Sequence, residues 1–260
     1  MVFPLYDDNT GRQRFPFVNY TLIVINVLVF VFMQGMGENE QFTFAFATVP
    51  REIVTGQDIV ETQPQRIDLP GVDATRPPLE RTPISVYLTL LTSMFMHAGW
   101  LHLLGNMLFL WIFGDNVEDD LGHFRYILFY LICGLVASLA HVFLTVGLYG
   151  VNSPQAMIPC LGASGAISGV LGGYIVLHPH RRVWVFVFRF LVQVPAYIAI
   201  GLWFVLQLIS FLGMLGEEAQ TGGVAFAAHV GGFLAGLALV SAFAFGRDID
   251  NNPQPRRRYR

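Results

Sequence analysis

The chain has 260 residues, 15 arginines, no lysine, 18 acidic residues and a formal net charge of −3. Charged residues make up 13% of it, about half the ~25% of a typical soluble domain; hydrophobic residues make up 54% and the mean hydropathy is +0.54. This excludes a disordered chain, a nucleic-acid binder with a basic face and a disulfide-stapled secreted module, and leaves a polytopic membrane protein if the apolar residues come in long runs.

They do. Charge-free stretches run from Phe15 to Gly37, Thr82 to Gly114, Tyr126 to His180, Phe190 to Gly216 and Ala219 to Gly246. A spanning helix needs ~20 apolar residues, and the third stretch is long enough for two. Six transmembrane helices are therefore predicted, near 17–36, 96–114, 126–146, 160–178, 195–215 and 223–245. Helices are required because lipid leaves backbone polar groups no other partner, and the period-2 alternation of a barrel is absent. The fold class predicted is an all-α membrane bundle. The first apolar run has no A-x-A cleavage site and is expected to be a retained helix.

Before the first helix, residues 1–16 form an N-terminal segment with Arg12 and Arg14. Arg125 lies between helices two and three, and Arg181, Arg182 and Arg189 between four and five. Residues 247–260 form an Arg-rich tail behind a membrane domain spanning 17–246. These arginines fall on one side of the predicted topology. The other side holds only Arg51, Arg66, Arg76 and Arg81, all in a long outer loop, 38–85. The positive-inside rule thus puts both termini in the cytoplasm. Within the loop, Phe42 to Val49 is apolar and expected at the membrane surface, and Gln57 to Pro83 reads as irregular. Cys133 and Cys160 lie at different depths and are expected to be free thiols. With no targeting signal in view, a bacterial-type cytoplasmic membrane is the expected location.

Polar groups at membrane depth are costly and mark function. Helix two offers His97, His102 and Asn106; helix three Ser138 and His141; helix four Ser164 and Ser168; helix five Gln207 and Ser210; helix six His229. His102 and Asn106 are stacked one turn apart. Counted from the helix ends, His102, Asn106, Ser164 and His229 share a shallow layer within ~10 Å of the outer boundary. Gly165, Gly169 and Gly173 recur every four residues in helix four, as do Gly232 and Gly236 in helix six. Such small-residue faces let membrane helices approach closely. Close approach of helices four and six would bring Ser164 within reach of His229.

A serine beside a histidine is the minimum for nucleophilic catalysis, because the imidazole takes the hydroxyl proton. The usual third member is a carboxylate. None lies in the outer half of any predicted span; Asp115, Glu118, Asp119 and Asp120 are on the other side, and Glu217 and Glu218 are in the loop before helix six. A Ser–His dyad is expected. The N–H of Ser164 near the start of its helix, the Asn106 amide and the His102 ring are candidate oxyanion donors. For His102 and Asn106 an interhelical hydrogen bond is the other reading.

Three motifs resemble one family. Met94-Phe95-Met96-His97-Ala98-Gly99-Trp100-Leu101-His102-Leu103-Leu104-Gly105-Asn106 resembles the second-helix signature of rhomboid intramembrane serine proteases. Gly162-Ala163-Ser164-Gly165 resembles their nucleophile motif, and His229-Val230-Gly231-Gly232-Phe233-Leu234-Ala235-Gly236 their sixth-helix motif. The resemblance covers about residues 15–245 and is weakest in the first loop. It implies a six-helix rhomboid-like bundle with Ser164 as nucleophile and His229 as general base. His102 and Asn106 would hold the oxyanion, with Gly162 in the turn before the nucleophile. It implies no metal and no cofactor, a lipid bilayer around the chain, and substrates that are transmembrane segments cut near the outer face. Glu118 matches an acidic position often seen after the second helix. By analogy, helix five and its outer loop, Leu215 to Gly222, are expected to form a gate. Ser168 departs from the aromatic residue that many members carry there, and a Trp-Arg pair of the first loop is absent.

Three rival readings fit the sequence less well. A catalytically inactive rhomboid-like protein that binds membrane clients usually lacks the serine or the histidine, and both are present. A transporter places charges or broken helices at the midplane, where none is seen. A zinc site on His97, His102 and His229 fails on spacing, since five residues turn His97 and His102 apart, and no H-E-x-x-H occurs.

Overall fold

A computed structural model describes residues 2–69, 72–187, 189–214 and 223–247. The fold is mostly helical. Strand β1 (Val2–Asp7) leads into α1 (Phe17–Leu28), which continues as a π-helical turn over Val29–Met33. The long first loop contains α2 (Glu40–Phe46), α3 (Pro50–Thr55), and strands β2 (Gln65–Leu69) and β3 (Val72–Arg76). The short helix α4 (Thr89–Thr92) precedes the long helices α5 (Trp100–Leu121) and α6 (His123–Tyr149). Helix α7 (Ser164–Leu177) is followed by strands β4 (Arg182–Val187) and β5 (Phe190–Pro195), then α8 (Ala196–Met214) and α9 (Gly223–Ala244).

Six apolar helices, α1 and α5 to α9, overlap the stretches predicted, with one correction: α5 starts at Trp100, leaving His97 outside the helix, and continues past Gly114 through the acidic residues to Leu121. Among the described residues, by length and composition, α6 and the Phe226–Ala244 part of α9 suffice to cross a membrane; a third counts if Val86–Phe95 and Trp100–Leu121, bent by 79°, are taken as one span.

The all-α expectation is corrected by two sheets. β1, β4 and β5 form a three-stranded antiparallel sheet in the order β1-β4-β5. Its register pairs Asp7 with Val183 and Arg182 with Pro195. The run Phe190–Pro195, read as the start of the fifth apolar stretch, is therefore strand. Val183 and Val185 face inward and are buried, while Trp184 stacks on Tyr6 on the other side. Both faces are apolar, which hid the alternation of the strand. In the long first loop, expected to be irregular over Gln57 to Pro83, β2 and β3 pair as a hairpin. Beside it Arg76 makes a two-pronged contact with Glu61 at 2.8 and 2.9 Å.

Helices α7 and α9 meet backbone to backbone. A Cβ on Gly232 would lie 2.1 Å from the Gly165 carbonyl oxygen, and one on Gly236 would lie 2.0 Å from that of Gly169. Helix α6 closes on the same pair through small groups: a Cβ on Gly165 would lie 2.7 Å from that of Ala137. Lipid provides no hydrophobic drive between helices, so this packing must come from close van der Waals contact.

The end of the bundle farthest from Ser164 is held by polar contacts. Glu118 is fully buried and accepts the N–H groups of Val18 (2.9 Å) and Asn19 (2.7 Å), two orphan donors in the first turn of α1. It also contacts His123. Asn19 donates to the Leu110 carbonyl at 2.9 Å and accepts from Tyr126 at 2.7 Å, locking α1 to α5 and α6. Arg125 donates to the carbonyls of Phe243 (2.9 Å) and Phe245 (2.8 Å), closing the C-terminal end of α9. Cys133 and Cys160 are both free. The tail beyond residue 247 and the loop Leu215 to Gly222 lie outside the described residues.

Candidate active site

Ser164 is the first residue of α7. The chain reaches it through Gly162, whose φ of +130° favours glycine. The Gly162 N–H donates to the Ser93 carbonyl at 2.9 Å. The long first loop braces the same approach: Thr48 and Cys160 exchange backbone hydrogen bonds of 3.0 and 2.8 Å, and the Thr48 and Ser93 hydroxyls are 2.9 Å apart.

Ser164 Oγ lies 2.8 Å from His229 Nε2. The two residues sit on α7 and α9, the helices whose backbones touch. The other ring nitrogen, Nδ1, lies 2.7 Å from Gln207 Oε1 on α8. The His229 ring has aromatic neighbours in Trp203 at 6.1 Å and Phe226 at 6.3 Å. Ser168 is turned away from it, donating to the Ser164 carbonyl at 2.6 Å.

His102 stands over the turn. A Cβ on Gly162 would lie 2.8 Å from His102 Cε1, 3.0 Å from its Nε2 and 3.5 Å from Ser164 Oγ. Glycine at 162 thus leaves the space in which the imidazole comes up beside the serine. The Ala98 N–H donates to His102 Nδ1 at 3.3 Å, so Nε2 carries the proton and is a donor. Asn106, one turn further along α5, has a buried side-chain nitrogen with no hydrogen-bond partner among the described residues. Native proteins rarely leave such a donor idle, and a reaction site is one reason to do so. His97 packs edge-on against His102 with ring centroids 5.1 Å apart; its backbone is held by Gln34 at 2.8 and 3.0 Å.

The geometry therefore gathers Ser164, His229, His102 and Gly162 from three helices. Gly165, Gly169, Gly232 and Gly236 form the contact that brings α7 and α9 together. An apolar cleft lies between α5, α7, α8 and the β1-β4 part of the sheet, lined by Pro4, Phe109, Leu171, Val185, Ala199 and Trp203; neither Ser164 nor His229 lines it.

A family model for the rhomboid domain matches residues 85–245, well over half of the chain. The chain belongs to the rhomboid family. Among its relatives are the mitochondrial Rhomboid protein 1 of Saccharomyces cerevisiae, 31% identical over 165 residues covering 61% of this chain and 42% of that protein. The rhomboid protease GluP of Bacillus subtilis is 34% identical over 164 residues, 62% of this chain and 28% of GluP. RHOMBOID-like protein 2 of Arabidopsis thaliana is 36% identical over 151 residues, 58% of this chain and 40% of that one. The matched region spans less than half the length of each of these relatives. With its apolar helices, this rhomboid is an integral membrane protein.

Sequence reasoning noticed Gln207 as a polar residue in the fifth apolar stretch and gave it no role. Its signal was its spacing: four residues after Trp203, it shares the helix face that meets His229. The acceptor for the histidine was sought among carboxylates, and this rhomboid presents an amide.

Proposed function

We propose that this rhomboid is an intramembrane serine endopeptidase that cuts transmembrane segments of membrane proteins near the outer membrane face. The observation that carries the reading is the 2.8 Å contact between Ser164 Oγ and His229 Nε2, made across two membrane helices. Ser164 Oγ attacks the carbonyl carbon of the scissile peptide as His229 Nε2 takes its proton. The negative charge on the carbonyl oxygen is met by His102 Nε2–H, the Asn106 side-chain N–H and the Ser164 backbone N–H. His229 passes the proton to the leaving amine as the C–N bond breaks. A water, losing its proton to His229, then hydrolyses the acyl ester and restores Ser164.

The topology proposed is six spans with both termini cytoplasmic. It is supported by the arginines: Arg12 and Arg14 meet Asp115 and Asp119, and Arg181 meets Asn116, all at the end away from Ser164. Helix α7 has 14 residues, about 21 Å at 1.5 Å per residue. That is shorter than the ~30 Å hydrocarbon core, so Ser164 at its outer end lies below the membrane surface and water reaches it through a depression. A substrate helix enters from the side, at the cleft between α5 and α8, and unwinds to present its carbonyl. Helix-weakening residues in the substrate favour this step. A bacterial-type cytoplasmic membrane is the compartment proposed, and fractionation of the native host decides between it and an organelle.

Two experiments test the reading. A fluorophosphonate probe should form an ester that peptide mapping locates at Ser164, and His229→Ala should abolish labelling. A probe bound elsewhere, or none bound while an unrelated serine hydrolase labels under the same conditions, favours the client-binding alternative. Lateral access is tested with Phe109→Cys and Trp203→Cys combined, whose native rings are 6.2 Å apart. Oxidation should block cleavage and reduction restore it; cleavage unaffected by a formed disulfide defeats the gate.

A further inference from the structure

The geometry points to Gln207 as the positioning residue of the general base, an amide standing where soluble serine proteases use a carboxylate. This inference rests on the protease reading and extends it to a third helix. For His229 to take the Ser164 proton, its Nε2 must hold a free lone pair, so the ring proton must sit on Nδ1. Nδ1 faces Gln207 Oε1 at 2.7 Å while Nε2 faces Ser164 Oγ at 2.8 Å. A carbonyl oxygen only accepts. The contact therefore selects the tautomer that leaves Nε2 unprotonated, and two hydrogen bonds at opposite corners of the ring fix its rotation.

The choice of an amide suits the surroundings. A carboxylate at this depth would be an anion among apolar side chains, costly unless paired with a cation. Among the described residues near the ring are Trp203, Phe226 and Gln207, none of them a cation. A neutral acceptor orients the base with no such cost.

Gln207 also ties the base to α8, a helix that carries neither Ser164 nor His229. Phe204 on α8 stacks on Phe233 of α9 with ring centroids 4.1 Å apart, and Trp203 lies 6.2 Å from Phe109 of α5. Movement of α8 away from α9 would withdraw the acceptor from His229. The orientation of the base is thus a function of where α8 sits.

The test uses the full chain in detergent or liposomes, a labelled single-pass substrate, and two variants. Gln207→Met keeps the length of the side chain and removes the acceptor; Gln207→Glu keeps an acceptor at the same reach. In Gln207→Met, kcat is expected to fall about 10- to 100-fold, a fraction of the full general-base contribution, with KM within about twofold. Gln207→Glu should recover most of the loss. Imidazole ¹⁵N spectra of His229 should show the proton on Nδ1 in the native protein and a mixture of tautomers in Gln207→Met. Native kcat in Gln207→Met, a change confined to KM, or an unchanged tautomer overturns the inference. So does a Gln207→Glu variant as slow as Gln207→Met across the whole pH range over which its carboxyl ionises, while both melt like the native protein. If the native protein neither cleaves nor labels at Ser164, the protease reading has failed, and the tautomer readout still decides the role of Gln207.

Discussion

The two ends of α7 are built on opposite terms. At its N-terminal end, around Ser164, the polar groups are few and neutral, and Asn106 keeps a buried donor without a partner. At its C-terminal end, Tyr174 donates to Asp7 at 2.5 Å, Asn116 donates to the same carboxylate at 2.8 Å, and Arg12 pairs with Asp115. Glu118 binds the start of α1 in the same region. One end is tied down by charge-assisted contacts, and the other leaves donors idle. An unsatisfied buried donor costs on the order of 1–3 kcal/mol, which the fold can bear if stability is secured elsewhere. Substitutions at the Ser164 end should therefore change rate, and those at the far end should change stability.

The glycine contact between α7 and α9 serves both ends, so breaking it has the largest effect. In Gly236→Leu the new Cβ would fall 2.0 Å from the Gly169 carbonyl oxygen, with backbone on both sides. The helices must separate, and both cleavage and the thermal transition in detergent should be lost, at a cost of at least about 3 kcal/mol. A variant that melts and cleaves like the native protein would contradict the packing described.

Glu118→Ala comes next. It strips the α1 N-terminus of its acceptor and leaves Val18 and Asn19 N–H groups unpaired, for a loss of about 3 kcal/mol in stability. The comparison predicts that the fraction still folded cleaves at a native rate, measured per labelled Ser164. Asn106→Ala is the converse. Its melting should match or exceed native, since the donor has no partner to lose and its removal relieves the cost of burying it, while cleavage slows about 100-fold, or about 2.7 kcal/mol of barrier. A drop in melting with unchanged kcat would reverse the assignment of the two ends.

The most gradual effect, spread over several pH units, is a pH dependence. Burial pushes the Asp7 carboxyl up from 3.8 to about 7, with the Tyr174 hydrogen bond and Arg181 opposing and Asp115 reinforcing the rise. Between about 4 and about 7 the folded chain holds a proton that the unfolded chain has released. Stability then falls as pH rises through this window, by at most about 1.4 kcal/mol per pH unit from this group. Glu52, on α3, is raised by burial to about 7 and acts in the same direction. The thermal midpoint should decline from pH 5 to pH 7, and Asp7→Asn should flatten the decline. A midpoint that rises over that range, or an Asp7→Asn profile as steep as native, goes against the buried carboxyl.

The same contrast shows what could be read from the sequence. The six apolar helices announce themselves through charge-free runs, and the α7–α9 contact through glycines four residues apart. The meeting of Ser164 and His229 follows from counting depth along two helices whose small faces must touch. The β1-β4-β5 sheet does not announce itself: Val183, Trp184, Val185 and Phe186 are apolar on both faces, so no period separates strand from span. Pro4 in β1 and Pro195 in β5 are residues that strands seldom hold, and both sit on the edge strands of this sheet. The β2–β3 hairpin lies in a polar run with little hydrophobic alternation. Gln207 escaped because a search for a third catalytic partner looks for charge, and lipid favours a neutral acceptor. The far-end network depends on contacts such as Asn116 with Asp7, more than a hundred positions apart, which no local pattern encodes.

The central claim, that Ser164 and His229 together cut a membrane-embedded substrate, is tested most directly by proteolysis of a labelled single-pass protein in liposomes. Native protein is compared with Ser164→Ala and His229→Ala, all three matched for folding. Native protein should give a product cut near the outer membrane face, and neither variant should give any. Cleavage that persists in Ser164→Ala would contradict the claim.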